Sequence, residues 1–135
     1  MLDLDLFKDI NDRHGHRVGD LTLKKVVEVC DQMLREVDTV GRLGGEEFGI
    51  VLPETDTEYA LQVADRLRYA IACGSVAIPG PKGGSVGVTN SVGVATFSES
   101  DPDHESVLNR ADRALYEAKR SGRNRVCFEG EASVA

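Results

Sequence analysis

The chain has 135 residues, a single-domain length, and its 41% hydrophobic and 29% charged residues suit a soluble globular fold rather than a disordered one. A net charge of −7 excludes generic nucleic-acid binding, which needs cations to neutralise phosphates; a polyphosphate stays accessible through a bridging metal ion. No apolar run is long enough to span a bilayer and no basic-then-apolar leader opens the chain, while Cys30, Cys73 and Cys127 are far apart and outside any C-x-x-C spacing, which argues against zinc or a disulfide framework and for a reducing cytoplasm.

The chain opens abruptly on Asp3-Leu4-Asp5-Leu6-Phe7, an alternation that suits a strand end running into a loop. Between Asp20 and Val37 the apolar residues Leu23, Val26, Val27, Cys30, Leu34 and Val37 recur at three- and four-residue steps, which predicts an amphipathic helix capped by Asp20. Two short β-prone runs, 39–43 and 48–52, flank Gly44-Gly45-Glu46-Glu47 and predict a hairpin that Pro53 ends. Thr55-x-x-Glu58 reads as a capping box opening a helix with Ala60, Ala64, Leu67 and Ile71 on its buried face. A Gly/Pro loop at 79–84 leads into residues 85–97, where Val86, Val88, Val92 and Val94 alternate with smaller residues as in a strand. The last helix carries Val107, Leu108, Ala111, Leu115 and Ala118; Gly122 stops it, residues 125–128 form a strand, and 129–135 are expected to be a disordered tail. The expectation is one α/β (α+β) sandwich over 1–128, with a mixed central sheet flanked by helices.

Three groups of residues can carry chemistry. Asp3, Asp5, Asp9 and Asp12 crowd the start; an EF-hand fails because the required glycine position holds Lys8 and the twelfth position His14. Carboxylates at a strand end without a lysine partner suit Mg²⁺, although a solvated acidic loop is the simpler reading for Asp9 and Asp12. The two glycines before Glu46 and Glu47 strip the turn of side chains, which lets a ligand approach a rigid pair of carboxylates. Lys119, Arg120, Arg123 and Arg125 form the one dense basic cluster, suited to phosphates or simply to a helix C-terminus. The spacing of His14, His16 and His104 supports no zinc site, and Gly80 to Ser85 lacks the P-loop pattern.

Asp3-Leu4-Asp5-Leu6-Phe7-Lys8-Asp9-Ile10-Asn11-Asp12, then Gly15-His16, Gly19-Asp20 and Gly44-Gly45-Glu46-Glu47-Phe48, resemble the GGDEF family of diguanylate cyclases. Ser91-Val92-Gly93-Val94, Ala111-Asp112-Arg113-Ala114-Leu115-Tyr116 and Gly122-Arg123-Asn124 are similar to that family's C-terminal half. The resemblance implies a fold like the palm of nucleotidyl cyclases and polymerases, lacking the family's first helix and most of its first strand. It also implies condensation of two GTP molecules into cyclic di-GMP with release of pyrophosphate. By that similarity Asp3, Glu46 and the backbone carbonyl of Leu4 hold two Mg²⁺ (or Mn²⁺) ions, and Glu47 supports the metals or the attacking hydroxyl. Asn11 and Asp20 read guanine, the amides around Phe7 and Lys8 cradle the terminal phosphates, and His16, Lys119 and Arg123 complete the GTP site. Arg35-x-x-Asp38, five residues before the glycine pair, matches the family's product-inhibition site, with Arg66 as a secondary arginine. The same resemblance implies a catalytic homodimer, an upstream sensor domain and a cytoplasmic location, either free or as part of a membrane-anchored protein. The alternative is a module that binds cyclic di-GMP or GTP without making product.

Overall fold

A computed structural model describes residues 1–129. The element order is β1 (Leu2–Leu4), α1 (Phe7–His14), α2 (His16–Met33), β2 (Thr39–Gly44), β3 (Glu47–Val51), α3 (Thr57–Cys73), β4 (Val76–Ala77), β5 (Ser85–Val86), β6 (Asn90–Val94), α4 (His104–Arg120) and β7 (Val126–Phe128). The main sheet runs β2-β3-β1-β6-β7; its pairs are antiparallel except β6 with β7, so the sheet is mixed as expected. A separate ribbon pairs β4 with β5.

Strand alternation divides the sheet between two helical layers. Leu2, Leu4, Phe48 and Val92 join residues of α1, α2 and α3 in one core, whose centre is Val26, Cys30, Leu67 and Ile71. On the opposite face α4 lies so close to β6 that a Cβ at Gly93 would collide with Ala111 O and Leu115 N. Ala111, Ala114, Leu115 and Ala118 are the buried side of α4, small enough to permit that approach. β1 is central but only three residues long, and beyond it a cavity of about 420 Å³ opens between Ile50, Leu52, Val94 and the Val63 and Leu67 side of α3.

Several local expectations are corrected. The acidic run after β1 is a helix, α1, because Phe7 and Ile10 turn one face into the core while Asp9 and Asp12 stay exposed. Asp20 does not cap α2: the helix starts at His16, after Gly15 breaks the chain at φ +88°. It also stops at Met33, since Leu34 is extended and Arg35 to Asp38 close their own turn, so Val37 is exposed rather than core; Val27, inside the helix, lies on its exposed side. At α3 the cap is Asp56, which accepts from Tyr59 N at 2.8 Å, whereas Thr55 Oγ1 donates to Pro53 O. The single long strand expected over 85–97 is two, β5 and β6, paired in different sheets. Leu108 lies on the exposed side of α4. Of the expected tail, Glu129 donates its N–H to Val94 O at 3.0 Å, and 130–135 lie outside the described residues. The cysteines are free, and no helix among the described residues is long and apolar enough to cross a membrane.

Candidate active site

The site forms where β1 ends. Asp3 faces Glu47 across the β1–β3 pair, and Leu4 N donates to Glu46 O at 3.2 Å, so the hairpin's two carboxylates are brought beside the buried Asp3. Gly45, at φ +50°, makes the turn that a side chain would strain. Burial holds the Asp3 carboxyl above the ordinary range; Lys119 opposes this, and the charges of Glu46 and Glu47 add to it. Lys119 Nζ, from the last turn of α4, lies 2.9 Å from Asp3 Oδ2. The lysine partner that the sequence did not suggest is therefore present, brought in from a residue 116 positions away.

Asp5, two residues on, is not part of this cluster. It is buried at the end of β1 and accepts from Thr89 Oγ1 and Ser91 Oγ, each at 2.7 Å, and from Asn124 N at 3.0 Å. It thereby anchors the turn after α4, where Arg123 sits at φ +63° and donates its N–H to Ala118 O at 2.9 Å. Leu6, also left-handed at φ 55°, swings the chain from β1 into α1. The first helical amides there, Phe7 and Lys8, have no intrahelical acceptor, as at any helix start, and make the positive end of α1.

Between α2 and the β2–β3 hairpin is an open cavity of about 560 Å³, lined by Asp20, Leu23, Lys24, Val40, Arg42 and Phe48. Asn11, on α1, keeps a buried Oδ1 without a partner among the described residues, pressed against the Cα of Gly19. His16 is exposed at the first turn of α2. Nothing in the sequence pattern marks Lys24 or Arg42 as members of this groove. Arg42 has a structural tie as well, since its Nε donates to Gly45 O at 2.8 Å and braces the turn before Glu46. A lone arginine in an edge strand gives no sequence signal of that.

The Arg35 to Asp38 turn forms a separate surface. Arg35 NH2 lies 2.9 Å from Asp38 Oδ1 and also donates to Pro53 O and Thr55 Oγ1. This pairing holds the Asp38 carboxyl below its ordinary range. Arg66, from α3, comes to the same surface through the ring of Tyr59.

A family described as "Diguanylate cyclase, GGDEF domain" matches residues 1–125. The chain belongs to this family. It is 41% identical over 126 residues to a Treponema denticola protein named diguanylate cyclase A, covering 93% of this chain and 33% of that protein. Against the Pseudomonas aeruginosa diguanylate cyclase DgcP it is 44% identical, over 93% of this chain and 18% of the relative. The chain thus spans about a third or less of these relatives' length. Among solved structures, the GGDEF domain of DgcB from Caulobacter crescentus in complex with c-di-GMP superposes with a TM-score of 0.87 at 31% identity, covering 94% of this chain and 74% of that one. An active GGEEF domain of a Vibrio cholerae diguanylate cyclase gives 0.87 at 35% identity, with coverages of 96% and 80%. The GGDEF fold accounts for the mixed sheet and for the position of the glycine-stripped hairpin beside β1.

Proposed function

We propose that this GGDEF domain is the catalytic part of a diguanylate cyclase that joins two GTP molecules into cyclic di-GMP. The observation that carries the reading is the meeting of Asp3, Glu46 and Glu47 at the end of β1, with Lys119 reaching in from α4. A carboxylate raised mainly by burial, with two like charges beside it, is an arrangement that favours a cation. Mg²⁺ or Mn²⁺ fits such a site, since these ions take few carboxylates and fill their shell with phosphate oxygens and water. Asp3, Glu46 and the Leu4 carbonyl would hold two such ions. Bound there, they would lower the pKa of a 3′-hydroxyl and offset charge on the transferring phosphate.

The chain's own residues do the positioning. Asp20, which lines the groove between α2 and the hairpin, would together with Asn11 read guanine's N–H donors. The free amides of Phe7 and Lys8 and the side chains of Lys119 and Arg123 hold the triphosphate, with His16 at the rim. Lys119, paired with Asp3 in the free protein, would turn to a phosphate oxygen if a cation neutralised that carboxylate. The 3′-oxygen of one GTP bonds to the α-phosphorus of the other, and the bond to the β-phosphate's bridging oxygen breaks. Pyrophosphate leaves, and Glu47 receives or orients the hydroxyl proton. Two such attacks close the ring, so a second copy of the domain must face the first with its own GTP. The Arg35, Asp38 and Arg66 surface takes cyclic di-GMP and restrains the reaction.

Incubation with GTP and Mg²⁺, followed by nucleotide chromatography, tests this. Cyclic di-GMP and pyrophosphate are expected from the wild type and neither from Glu46→Ala. Binding of cyclic di-GMP without turnover would leave the binding-module reading instead.

A further inference from the structure

Arg35 and Arg66 come from different elements, carry the same charge, and share one neighbour. The guanidinium carbon of Arg35 lies 6.0 Å from the centroid of the Tyr59 ring, and that of Arg66 lies 5.9 Å from the same centroid. Tyr59 and Arg66 are seven residues apart on α3, two turns along one face, and helical side chains lean toward the N-terminus, which carries Arg66 back over the ring. The backbone at Tyr59 is fixed by the helix cap, since Tyr59 N donates to Asp56 Oδ1 at 2.8 Å.

The two arginines depend on the ring unequally. Arg35 is already held by Asp38, Pro53 O and Thr55 Oγ1. Arg66 is exposed, and no carboxylate or carbonyl among the described residues pairs with it. An aromatic face attracts a guanidinium without neutralising it, whereas a carboxylate in that place would compete with an incoming phosphate. Tyr59 is therefore a neighbour common to both guanidiniums and leaves Arg66 unneutralised for an anion, while Arg35 keeps its pair with Asp38.

We propose that Tyr59 is a positioning residue of the cyclic di-GMP surface: its ring holds the Arg66 guanidinium beside Arg35, so that both arginines meet one ligand. This rests on the product-binding reading above. It adds a requirement for an aromatic ring at a position outside the Arg-x-x-Asp pattern.

The test is titration of the chain with cyclic di-GMP in calorimetry, without GTP or Mg²⁺. Tyr59→Phe keeps the ring and is expected to bind like the wild type. Tyr59→Leu keeps apolar bulk without the ring face and is expected to weaken binding about 3- to 10-fold. Arg66→Ala should add little loss on top of Tyr59→Leu, since Arg66 is already released in that variant. Urea midpoints matching the wild type would separate positioning from folding. A ligand-free measurement accompanies this: the Arg66 side-chain proton resonances should be shifted upfield by the ring in the wild type and in Tyr59→Phe, and not in Tyr59→Leu. Wild-type affinity in Tyr59→Leu, or equal losses in Tyr59→Phe and Tyr59→Leu, would overturn the proposal. If the wild type itself does not bind while the ring shifts are present, the product-binding reading fails and the proposed role of Tyr59 fails with it.

Discussion

Asp3 and Asp5 are separated by one residue and live in different chemistry. Asp5 has three hydrogen-bond donors and holds the turn that carries Arg123, while Asp3 has a single lysine and two like charges beside it. The raised pKa of Asp3 has a consequence for stability with a definite sign. The folded protein binds this proton more tightly than the unfolded chain, in which the pKa is about 3.9. Stability from this group is therefore greatest below that value and is lost as pH rises through the folded one. Asp3→Asn is expected to melt at a higher temperature than the wild type at pH 7, the gap closing as pH falls to about 4. A variant that melts lower at pH 7 would show that the Lys119 pair outweighs burial. Base choice is also decided by single residues. GTP is expected to bind at least 10-fold tighter than ATP, because adenine leaves the Asp20 carboxylate without a donor, and Asp20→Ala should erase most of that ratio in calorimetry with Mg²⁺. Equal affinities in the wild type would remove Asp20 from the base-reading role.

Elements meet here at distances that only some residues allow. Gly93 on β6 faces the backbone of α4 at Ala111 and Leu115, so a methyl group at this point has backbone on its far side and cannot be accommodated by a rotamer change. Gly93→Ala is expected to cost about 3 kcal/mol or more in urea unfolding. Gly87→Ala, where a Cβ meets nothing within 4 Å, serves as the control and should stay within about 0.5 kcal/mol of the wild type. Matching midpoints for the two variants would mean that α4 sits farther from the sheet than described. The helix α1 carries a related lesson. Its sequence is rich in aspartate and offers only Phe7 and Ile10 to the core, too few apolar positions for periodicity to register. The helix exists because β1 delivers those two side chains to a core already built by α2 and α3.

At the scale of the molecule, charge is the governing quantity. A chain of net charge −7 repels polyanions in general, so a dianionic nucleotide must find a local concentration of cations. The Arg35, Arg66 and Asp38 surface supplies one away from the end of β1. Cyclic di-GMP is expected to bind with neither GTP nor Mg²⁺ present, more weakly as salt rises, because the arginines are exposed. Arg35→Ala should reduce affinity at least 10-fold, since it removes the guanidinium that also pairs with Asp38. Affinity unaffected by salt or by Arg35→Ala would assign the ligand to another surface.

Much of this protein was legible along the chain. The order of the aspartate run, the Gly44-Gly45-Glu46-Glu47 hairpin and the 111–119 helix identified the family, and period-2 and period-3.6 patterns located the hairpin strands, α3 and α4. These signals survive in one dimension because each is local: a turn needs its glycines, and a helix face repeats within a few residues. The tertiary structure alone decided that Lys119 pairs with Asp3, that Asp5 bonds Thr89, Ser91 and Asn124, and that Arg42 braces Gly45 beside a groove it shares with Asp20. It also placed one tyrosine between two arginines. Most of these partners are separated by tens of residues, and their meeting depends on which strands pair and which helices pack, a choice made by burial of the whole core rather than by the residues concerned.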